Sequence, residues 1–311
     1  MNATGISVKI VHYRSISMRV FIPKDNESHT EPRRNLNAST HDGTRPRQHH
    51  GTEPHPGLLW IHGGGLVVGS ARQDDGLCAR TAASLGTVVV SVDYRLAPEH
   101  PYPAAINDVY LAWQWMIAHG SQLHIDVNRL AIGGESAGGG LAACLTQRVH
   151  DQEGIQPIAQ WLFAPMLDDR TATDRSLDAI NHFVWNNQAN RYAWNAYLPV
   201  AAGSQAVPKY ASASRRDDVS GLPPTWLYAT DIELFHDEVC LYAQRLHDAG
   251  VDVTLEHVPA AAHAFELFEN TEPARQLLTR SRRWLNAQFE LSLSDGDNNC
   301  STTTSRSNAQ Q

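Results

Sequence analysis

The 311-residue sequence is 42% hydrophobic and 19% charged, which supplies enough apolar side chains for a sizeable core in one α/β domain. Its formal net charge of −8 argues against nucleic acid and anionic membrane surfaces as partners. The sequence shows neither a signal-peptide pattern at its start nor an apolar run of about 18 residues, so we expect a cytoplasmic protein that does not enter a membrane.

The cysteines and histidines show no metal-binding pattern. Cys78, Cys144, Cys240 and Cys300 are scattered without CxxC spacing, which favours reduced thiols over a disulfide framework or a zinc site. The histidines at positions 41, 49, 50 and 55 have no ligand spacing either. We therefore expect no metal ion.

Two strands open the chain. Residues 7–13 and 17–23 alternate between apolar and polar side chains, which predicts an antiparallel pair joined by a short turn. Residues 24–56 follow, with Leu36 and Ala38 as their only hydrophobic residues. Such a segment cannot offset its ordering entropy by burial, so we expect a disordered surface insertion.

From residue 58 onward, short apolar runs alternate with amphipathic segments, a pattern typical of a mostly parallel sheet with helices on both faces. The predicted strands are 58–62, 87–94, 129–133, 158–165, 224–230 and 251–258, and the predicted helices are 74–85, 104–119, 137–150, 237–249 and 272–290. Functional residues are expected in the loops after the carboxyl ends of the strands, where open α/β sheets bind their ligands.

Two segments depart from this alternation. Residues 168–222 are irregular, more helical than extended, and are predicted to form a cap over the sheet. The polar, low-complexity residues 292–311 are predicted to be a disordered tail. The expected organisation is one domain at residues 1–291, with the insertion and the cap inside it.

Ser136 stands at the junction of a predicted strand and a predicted helix, within the G-x-S-x-G sequence of residues 134–138. In this motif a sharp turn exposes the serine hydroxyl and directs the next amide, here that of Ala137, toward a developing oxyanion. A P-loop is excluded because no Lys-Ser/Thr follows the glycines, and a dinucleotide motif at 138–143 would lie inside the helix. By itself the motif leaves a catalytic serine and a tight packing turn equally open.

A second glycine cluster, His62-Gly63-Gly64-Gly65, directly follows the strand predicted at 58–62. An acyl-transfer enzyme needs preorganised N–H groups of this kind because negative charge moves onto the carbonyl oxygen during the reaction. The two clusters together favour a catalytic serine.

These motifs resemble those of the hormone-sensitive-lipase-like family of α/β-hydrolases, in order and in spacing. The resemblance rests on HGGG at 62–65, DYRLAPE at 93–99, GESAGG at 134–139 and LFHDE at 234–238, and it covers roughly residues 57–290. It implies the α/β-hydrolase fold and a carboxylic-ester hydrolase that needs no cofactor. It also implies that the amides of Gly64 and Gly65, joined by Ala137, form the oxyanion hole, with His62 and Gly63 in supporting roles.

The resemblance also implies the other two members of a catalytic triad. The family pattern G-A-x-H-G-F matches residues 260–265 and gives His263 as the base, although Ala260 and Ala264 stand where glycines are usual. The pattern G-x-x-D-L-F-R-D-E places Glu233 at the position of the acid. Asp231, at the end of a predicted strand, is the alternative, and Asp237 is predicted to cap the following helix.

Three further expectations concern support and substrate. Asp93, Arg95 and Glu99 are predicted to form an ionic brace for the HGGG loop. Leu66 stands where a bulky aromatic residue is common in the family and is predicted to line the acyl pocket. The family's N-terminal cap helices have no counterpart before the first strand, so we expect an incomplete lid at 168–222.

The sequence therefore predicts a serine carboxylesterase for small esters of short to medium acyl chain, working through an acyl-enzyme. One alternative, which uses the same acyl-transfer chemistry, is an amide hydrolase similar to arylacetamide deacetylases. The alternative from another class is a non-catalytic small-molecule receptor, as some plant relatives are, but those lack a working triad histidine. A homodimer could pair through an edge strand or the terminal helix, and the sequence leaves this open.

Overall fold

The computed structural model describes residues 5–24 and 53–303. The strands within these ranges are β1 (Ile6–Tyr13), β2 (Ile16–Pro23), β3 (His55–Ile61), β4 (Val88–Asp93), β5 (Ile125–Glu135), β6 (Ala159–Phe163), β7 (Thr225–Thr230) and β8 (Val253–Val258). The α-helices are α1 (Asp75–Leu85), α2 (Ala104–Ala118), α3 (Ala137–His150), α4 (Asn187–Tyr197), α5 (His236–Asp248) and α6 (Glu272–Thr303).

The strands form one sheet in the order β1-β2-β4-β3-β5-β6-β7-β8. β1 pairs antiparallel with β2, and β2 pairs antiparallel with β4, whereas the neighbours from β4 to β8 are all parallel. The expected hairpin and the mostly parallel sheet are therefore confirmed. β3 and β5, which precede the two glycine clusters, are adjacent in this sheet, so both clusters emerge at the same edge.

Helices cover both faces of the sheet because its central strands are apolar on both faces. In β4, Val88, Val90 and Val92 pack into one hydrophobic cluster, and Val89 packs into the other. The first cluster includes buried side chains of α2, α3 and α5, and the second includes those of α1 and α6. Side chains that alternate along each strand thus anchor helices on opposite sides, which fixes the sheet in the middle layer.

The predicted insertion and tail have different outcomes. Of the insertion at 24–56, residues 25–52 lie outside the described residues, and residues 55 and 56 belong to β3 instead. The prediction of a disordered tail from 292 is wrong for residues 292–303, because α6 continues to Thr303. Residues 304–311 lie outside the described residues.

The segment at 168–222 contains α4 and short 3-10 turns at Thr171–Thr173, Arg175–Ala179 and Ala213–Arg215. It contains no strand, in agreement with the helical character expected of it. Its connection between residues 180 and 186 is partly exposed and apolar, with Phe183 76% accessible. Within residues 5–24 and 53–303, no helix combines the length and the apolar character needed to cross a membrane.

Candidate active site

Ser136 occupies the sharp turn between β5 and α3 that the sequence predicts. Its backbone has φ 55° and ψ −122°, a region that side-chain-bearing residues rarely adopt and that costs about 1–3 kcal/mol. Backbone hydrogen bonds hold the turn, because the Ser136 amide donates to the Phe163 carbonyl at 2.8 Å and the Ser136 carbonyl accepts from Met166 at 2.9 Å. Ala137 is the first residue of α3, so its amide has no acceptor inside the helix.

The glycines around Ser136 allow two backbones to touch. A Cβ atom at Gly138 would lie 2.1 Å from the Ile61 carbonyl oxygen and 2.4 Å from that of His62. A Cβ atom at Gly134 would lie 2.4 Å from the carbonyl oxygen of Gly138 itself. Side chains are excluded here because the end of β3, which leads into the HGGG loop, packs directly on the turn that carries the serine.

The HGGG loop lies beside the serine hydroxyl. A Cβ atom at Gly63 would lie 3.3 Å from Ser136 Cβ, and Gly64 and Gly65 have φ values of 116° and 61°. The Gly64 carbonyl accepts from the amides of Val67 and Val68, which closes the loop into a tight turn. Among the described residues, no acceptor receives a hydrogen bond from the amide of Gly64 or Gly65, so both amides remain free for a ligand.

The support of this loop differs from the predicted ionic brace. Arg95 pairs with Asp108 of α2, at 2.8 Å from Arg95 Nη2 to Asp108 Oδ1, and Asp93 accepts from the Ala71 amide. Glu99 is exposed and has no partner among the described residues. The prediction of an Asp93–Arg95–Glu99 brace is therefore wrong, because Arg95 and Asp93 bond to residues outside this segment and Glu99 faces solvent.

Tyr94 supports the loop instead. Its ring stacks on the His62 ring with 4.3 Å between centroids, and its hydroxyl donates to the His62 carbonyl at 3.0 Å. His62 is buried, and burial lowers the pKa of its imidazole, against a smaller opposing effect of the Gly63 carbonyl and the Asp93 charge. Burial therefore disfavours a charged His62, which packs as a buried ring beside the HGGG loop.

His263 joins the serine to an acid. Its Nε2 lies 2.8 Å from Ser136 Oγ, and its Nδ1 lies 2.5 Å from Glu233 Oε2. The three side chains are buried, with exposed fractions of 4% to 5% per residue. The Phe235 ring packs edge-on against the imidazole, with 5.2 Å between ring centroids, and thereby limits its rotation. The structure thus brings Ser136, His263 and Glu233 into one hydrogen-bonded chain, called the relay below.

The two alternative acids lie elsewhere. Asp231 is exposed, and its Oδ1 accepts from the Ala260 amide at 2.6 Å, which ties the end of β7 to the loop that carries His263. Asp237 does not cap α5 as predicted, because the helix already begins at His236 and Asp237 lies within its first turn. Asp237 instead accepts from His236 Nδ1 at 2.9 Å.

The loop that carries His263 keeps two unusual backbone conformations. Ala260 has φ 52° and Ala264 has φ 58°, both in the left-handed region that favours glycine. This explains why the family pattern has glycine at both positions, and it shows that alanine adopts the same turn here.

Sequence reasoning missed two residues from the 168–222 segment. A Cβ atom at Gly65 would lie 2.1 Å from Trp185 Cη2, so the indole ring covers the HGGG loop. Burial lowers the pKa of His182, and the nearby negative charge of Glu233 opposes this effect. The segment therefore lies against the HGGG loop at Trp185 and near Glu233 at His182. Leu66, predicted to line the acyl pocket, is 3% exposed and has φ 67°.

Three buried carboxyl groups lie near the site, and sequence analysis did not identify them. Burial raises the pKa of Asp74 to about 6 and that of Glu266 to about 7, and it raises the pKa of Glu135 well above its usual range. The charges of Glu266 and Asp74 add to the effect on Glu135. The Trp60 indole donates to Asp74 at 2.7 Å, and the Tyr228 hydroxyl donates to Glu266. Burial therefore disfavours a negative charge on each of these three carboxyl groups.

The arrangement combines a strained serine, a histidine within hydrogen-bond distance and free amides beside the hydroxyl, which is the geometry of nucleophilic acyl transfer. Residues 58–267 match the α/β hydrolase fold family. The chain belongs to that family. The hormone-sensitive-lipase-like resemblance and the α/β-hydrolase fold are both confirmed.

Several named relatives and solved structures that are similar to this chain are esterases. Esterase LipI of Mycobacterium tuberculosis is 34% identical over 222 residues, which are 70% of this chain and 68% of that protein. Carboxylesterase NlhH of Mycobacterium tuberculosis is 32% identical over 224 residues, 70% of this chain and 69% of that protein. Among solved structures, Bacterial Heroin Esterase superposes with a TM-score of 0.80 at 30% identity, covering 93% of this chain and 86% of that one.

Proposed function

We propose that this chain is a carboxylesterase that cleaves small esters of short to medium acyl chain through an acyl-enzyme at Ser136. The observation that carries the proposal is the relay, in which His263 lies within hydrogen-bond distance of both the Ser136 hydroxyl and the Glu233 carboxylate. Its membership of a family with named esterases gives ester hydrolysis as the activity of this chain.

In the first half-reaction, His263 Nε2 takes the proton of Ser136 Oγ as the oxygen attacks the ester carbonyl. The amides of Gly64, Gly65 and Ala137 donate to the oxyanion of the tetrahedral intermediate. His263 then returns its proton to the leaving alkoxide, and the acyl group stays on Ser136. In the second half-reaction, His263 takes a proton from water as the water attacks the acyl-enzyme, and it then returns that proton to Ser136 Oγ as the carboxylic acid leaves.

Glu233 stabilises the imidazolium that His263 becomes in each step. Its Oε2 accepts the Nδ1 proton of His263, which leaves the lone pair of Nε2 facing Ser136. Its Oε1 lies 3.5 Å from the Thr230 amide, so the carboxylate is held from the end of β7 as well. The burial of all three side chains strengthens these interactions, because little water screens them.

A large apolar side chain beside the oxyanion hole supports the choice of short acyl chains. The Trp185 ring lies against Gly65 and bounds the space beside the oxyanion amides, whereas Leu66 is 3% exposed and packs into the core. We expect rates to fall for acyl chains longer than about eight carbons. Amide hydrolysis uses the same groups and is the second candidate. The receptor alternative is disfavoured because the His263 imidazole lies 2.8 Å from the serine oxygen.

A panel of p-nitrophenyl esters with acyl chains of increasing length, beside a matched p-nitroanilide, tests this proposal. The expected result is the highest kcat/KM for short acyl esters, with slow or absent anilide cleavage. Ser136→Ala is the control for background hydrolysis. An anilide that reacts faster than its ester would establish the amide hydrolase, and a jump in rate at a lipid interface would contradict the short pocket.

We further propose a cytoplasmic location and the ability to form a homodimer. Cys78, Cys144 and Cys240 are free thiols, in keeping with a reducing compartment. β1 forms one edge of the sheet and exposes Val8 and Ile10, at 47% and 61%, which supports pairing through that edge strand. Light scattering of the purified protein measures the mass, and an Ile10→Lys variant tests whether β1 is the contact.

A further inference from the structure

His236, Cys240 and His257 form a cluster of potential metal ligands outside the relay. One nitrogen or sulfur atom from each side chain can be chosen so that all three lie within 4.8 Å of one another. Within the cluster, Cys240 Sγ and His236 Nε2 are 3.8 Å apart. No step of ester hydrolysis uses these three side chains.

The fold brings the three residues together from two elements. His236 and Cys240 are four positions apart on α5, so they lie on one face of the helix. His257 is on β8, where its neighbour Glu256 bonds to Trp226 and Arg280 on the other face of the sheet. Because side chains alternate along a strand, His257 faces α5, and its ring lies 6.2 Å from the His236 ring.

The spacing suits a tetrahedral zinc ion. Zinc bonds of about 2.3 Å to sulfur and about 2.0–2.1 Å to nitrogen, at a tetrahedral angle, place those two ligand atoms about 3.6 Å apart. The observed 3.8 Å between Sγ and Nε2 is close to this value. His236 and Cys240 are half-buried and His257 is exposed, so solvent reaches the cluster and a metal ion can enter.

A carboxylate orients one of the ligands. His236 Nδ1 donates to Asp237 Oδ1 at 2.9 Å, which leaves the lone pair on Nε2, the nitrogen that faces Cys240. Histidines that bind metals in proteins commonly donate their other ring N–H to a carboxylate in this way. This bond is independent of the distance criterion that defines the cluster, and it points to the same ligand atom.

We propose that His236, Cys240 and His257 bind one zinc-like divalent cation, with water as its fourth ligand. Cys240 binds as the thiolate and releases its proton to solvent. The bound ion would link the start of α5, which follows Glu233, to the end of β8, which precedes the His263 loop. His236 stands where the family pattern has arginine.

Cobalt(II) titration of the reduced, metal-free protein tests the proposal. Cobalt occupies zinc sites and gives a thiolate-to-metal charge-transfer band in the near ultraviolet. We expect one equivalent of cobalt to produce this band and one equivalent of zinc to remove it. Histidines elsewhere in the chain do not interfere with this signal, because the band requires a bound thiolate.

Matched variants assign the ligands. Cys240→Ser should abolish the band, and His236→Arg or His257→Gln should weaken cobalt binding at least about tenfold. Asp237→Ala should weaken it by about 10- to 100-fold, as the loss of an orienting carboxylate does in other metal sites. Cys300→Ser and His247→Gln, which change a thiol and an imidazole that are not among the three proposed ligands, should leave binding unchanged.

Two results would overturn the proposal. One is the lack of a charge-transfer band in the unmodified protein at a cobalt excess that saturates ordinary zinc sites. The other is a band that persists in Cys240→Ser or disappears in Cys300→Ser, which would place the bound thiolate elsewhere. All variants are compared by their unfolding temperature without metal, so that misfolding is not scored as loss of a ligand.

Discussion

Glu233→Gln separates the two candidates for the triad acid. The Glu233 side chain is fully buried, and its Oε2 lies 2.5 Å from His263 Nδ1. Glutamine has the same shape, so the fold is retained. The substitution removes the negative charge that stabilises the imidazolium, and the amide NH₂ group can force the wrong tautomer on His263.

The expected loss follows from this geometry. A triad acid replaced by its neutral isostere lowers turnover by about 10³- to 10⁴-fold, because the base can no longer hold its proton in the transition state. At about 1.4 kcal/mol per factor of ten, this equals roughly 4–6 kcal/mol of transition-state stabilisation. The measurement is kcat/KM with p-nitrophenyl acetate, alongside the unfolding temperature of each variant.

Asp231→Asn is the matched control. Asp231 is exposed and accepts one hydrogen bond from the Ala260 amide, and the asparagine oxygen can accept the same bond. We expect kcat/KM to change by less than about tenfold, since only the charge on one hydrogen bond is lost. A larger loss in Asp231→Asn than in Glu233→Gln would refute the assignment of Glu233.

Three further predictions test the serine, the oxyanion loop and the buried carboxyl groups. Ser136→Ala should lower kcat by about 10⁶-fold if the triad acts as a unit. An organophosphate should label Ser136 in the unmodified protein, and mass spectrometry that finds the label on another serine would contradict the mechanism. Gly65→Ala should lower kcat by about 10²- to 10³-fold because the new methyl group meets the Trp185 ring. Adding Trp185→Ala should restore part of the rate. An equal loss in the double variant would show that the contact with Trp185 is unimportant. Glu266 has its pKa raised by burial to about 7, so the stability it contributes is complete below about pH 4 and is lost as the pH rises toward 7. Between pH 5 and pH 8, the unfolding free energy of the unmodified protein should therefore fall by about 1–3 kcal/mol more than that of Glu266→Gln. Parallel curves for the two proteins would exclude this carboxyl group as the cause.

Local sequence patterns were sufficient to predict most of the secondary structure. Apolar runs such as residues 58–62 and 224–230 are strands because both faces of a parallel strand are buried here. The same patterns placed the functional loops, since a motif that follows a strand must lie at the carboxyl edge of the sheet. The helical continuation from 292 to 303 was missed, because its polar composition gives no amphipathic period.

Contacts between distant segments could not be predicted in this way. Arg95 pairs with Asp108 across a loop, and Asp231 holds the Ala260 amide, yet nothing near either residue in the sequence indicates its partner. Trp185 also belongs to a segment without a regular pattern, so its position over Gly65 emerges only from the packed fold. The charge and size of two side chains decide whether their contact is favourable, but the topology of the fold decides whether the two side chains meet.

Four strained backbone conformations lie where this site needs fixed geometry. Leu66, Ser136, Ala260 and Ala264 all have φ between 52° and 67°, and all lie in the loops that carry the relay or the oxyanion hole. Each left-handed residue other than glycine costs about 1–2 kcal/mol, so these conformations persist only because neighbouring contacts hold them. At Leu66 the carbonyl accepts from the Ala97 amide at 2.9 Å, and at Ala260 the amide is bound by Asp231. Sequence reasoning could not foresee these hydrogen bonds. They hold the strained loops in place, and the loops in turn position the serine, the base and the amides.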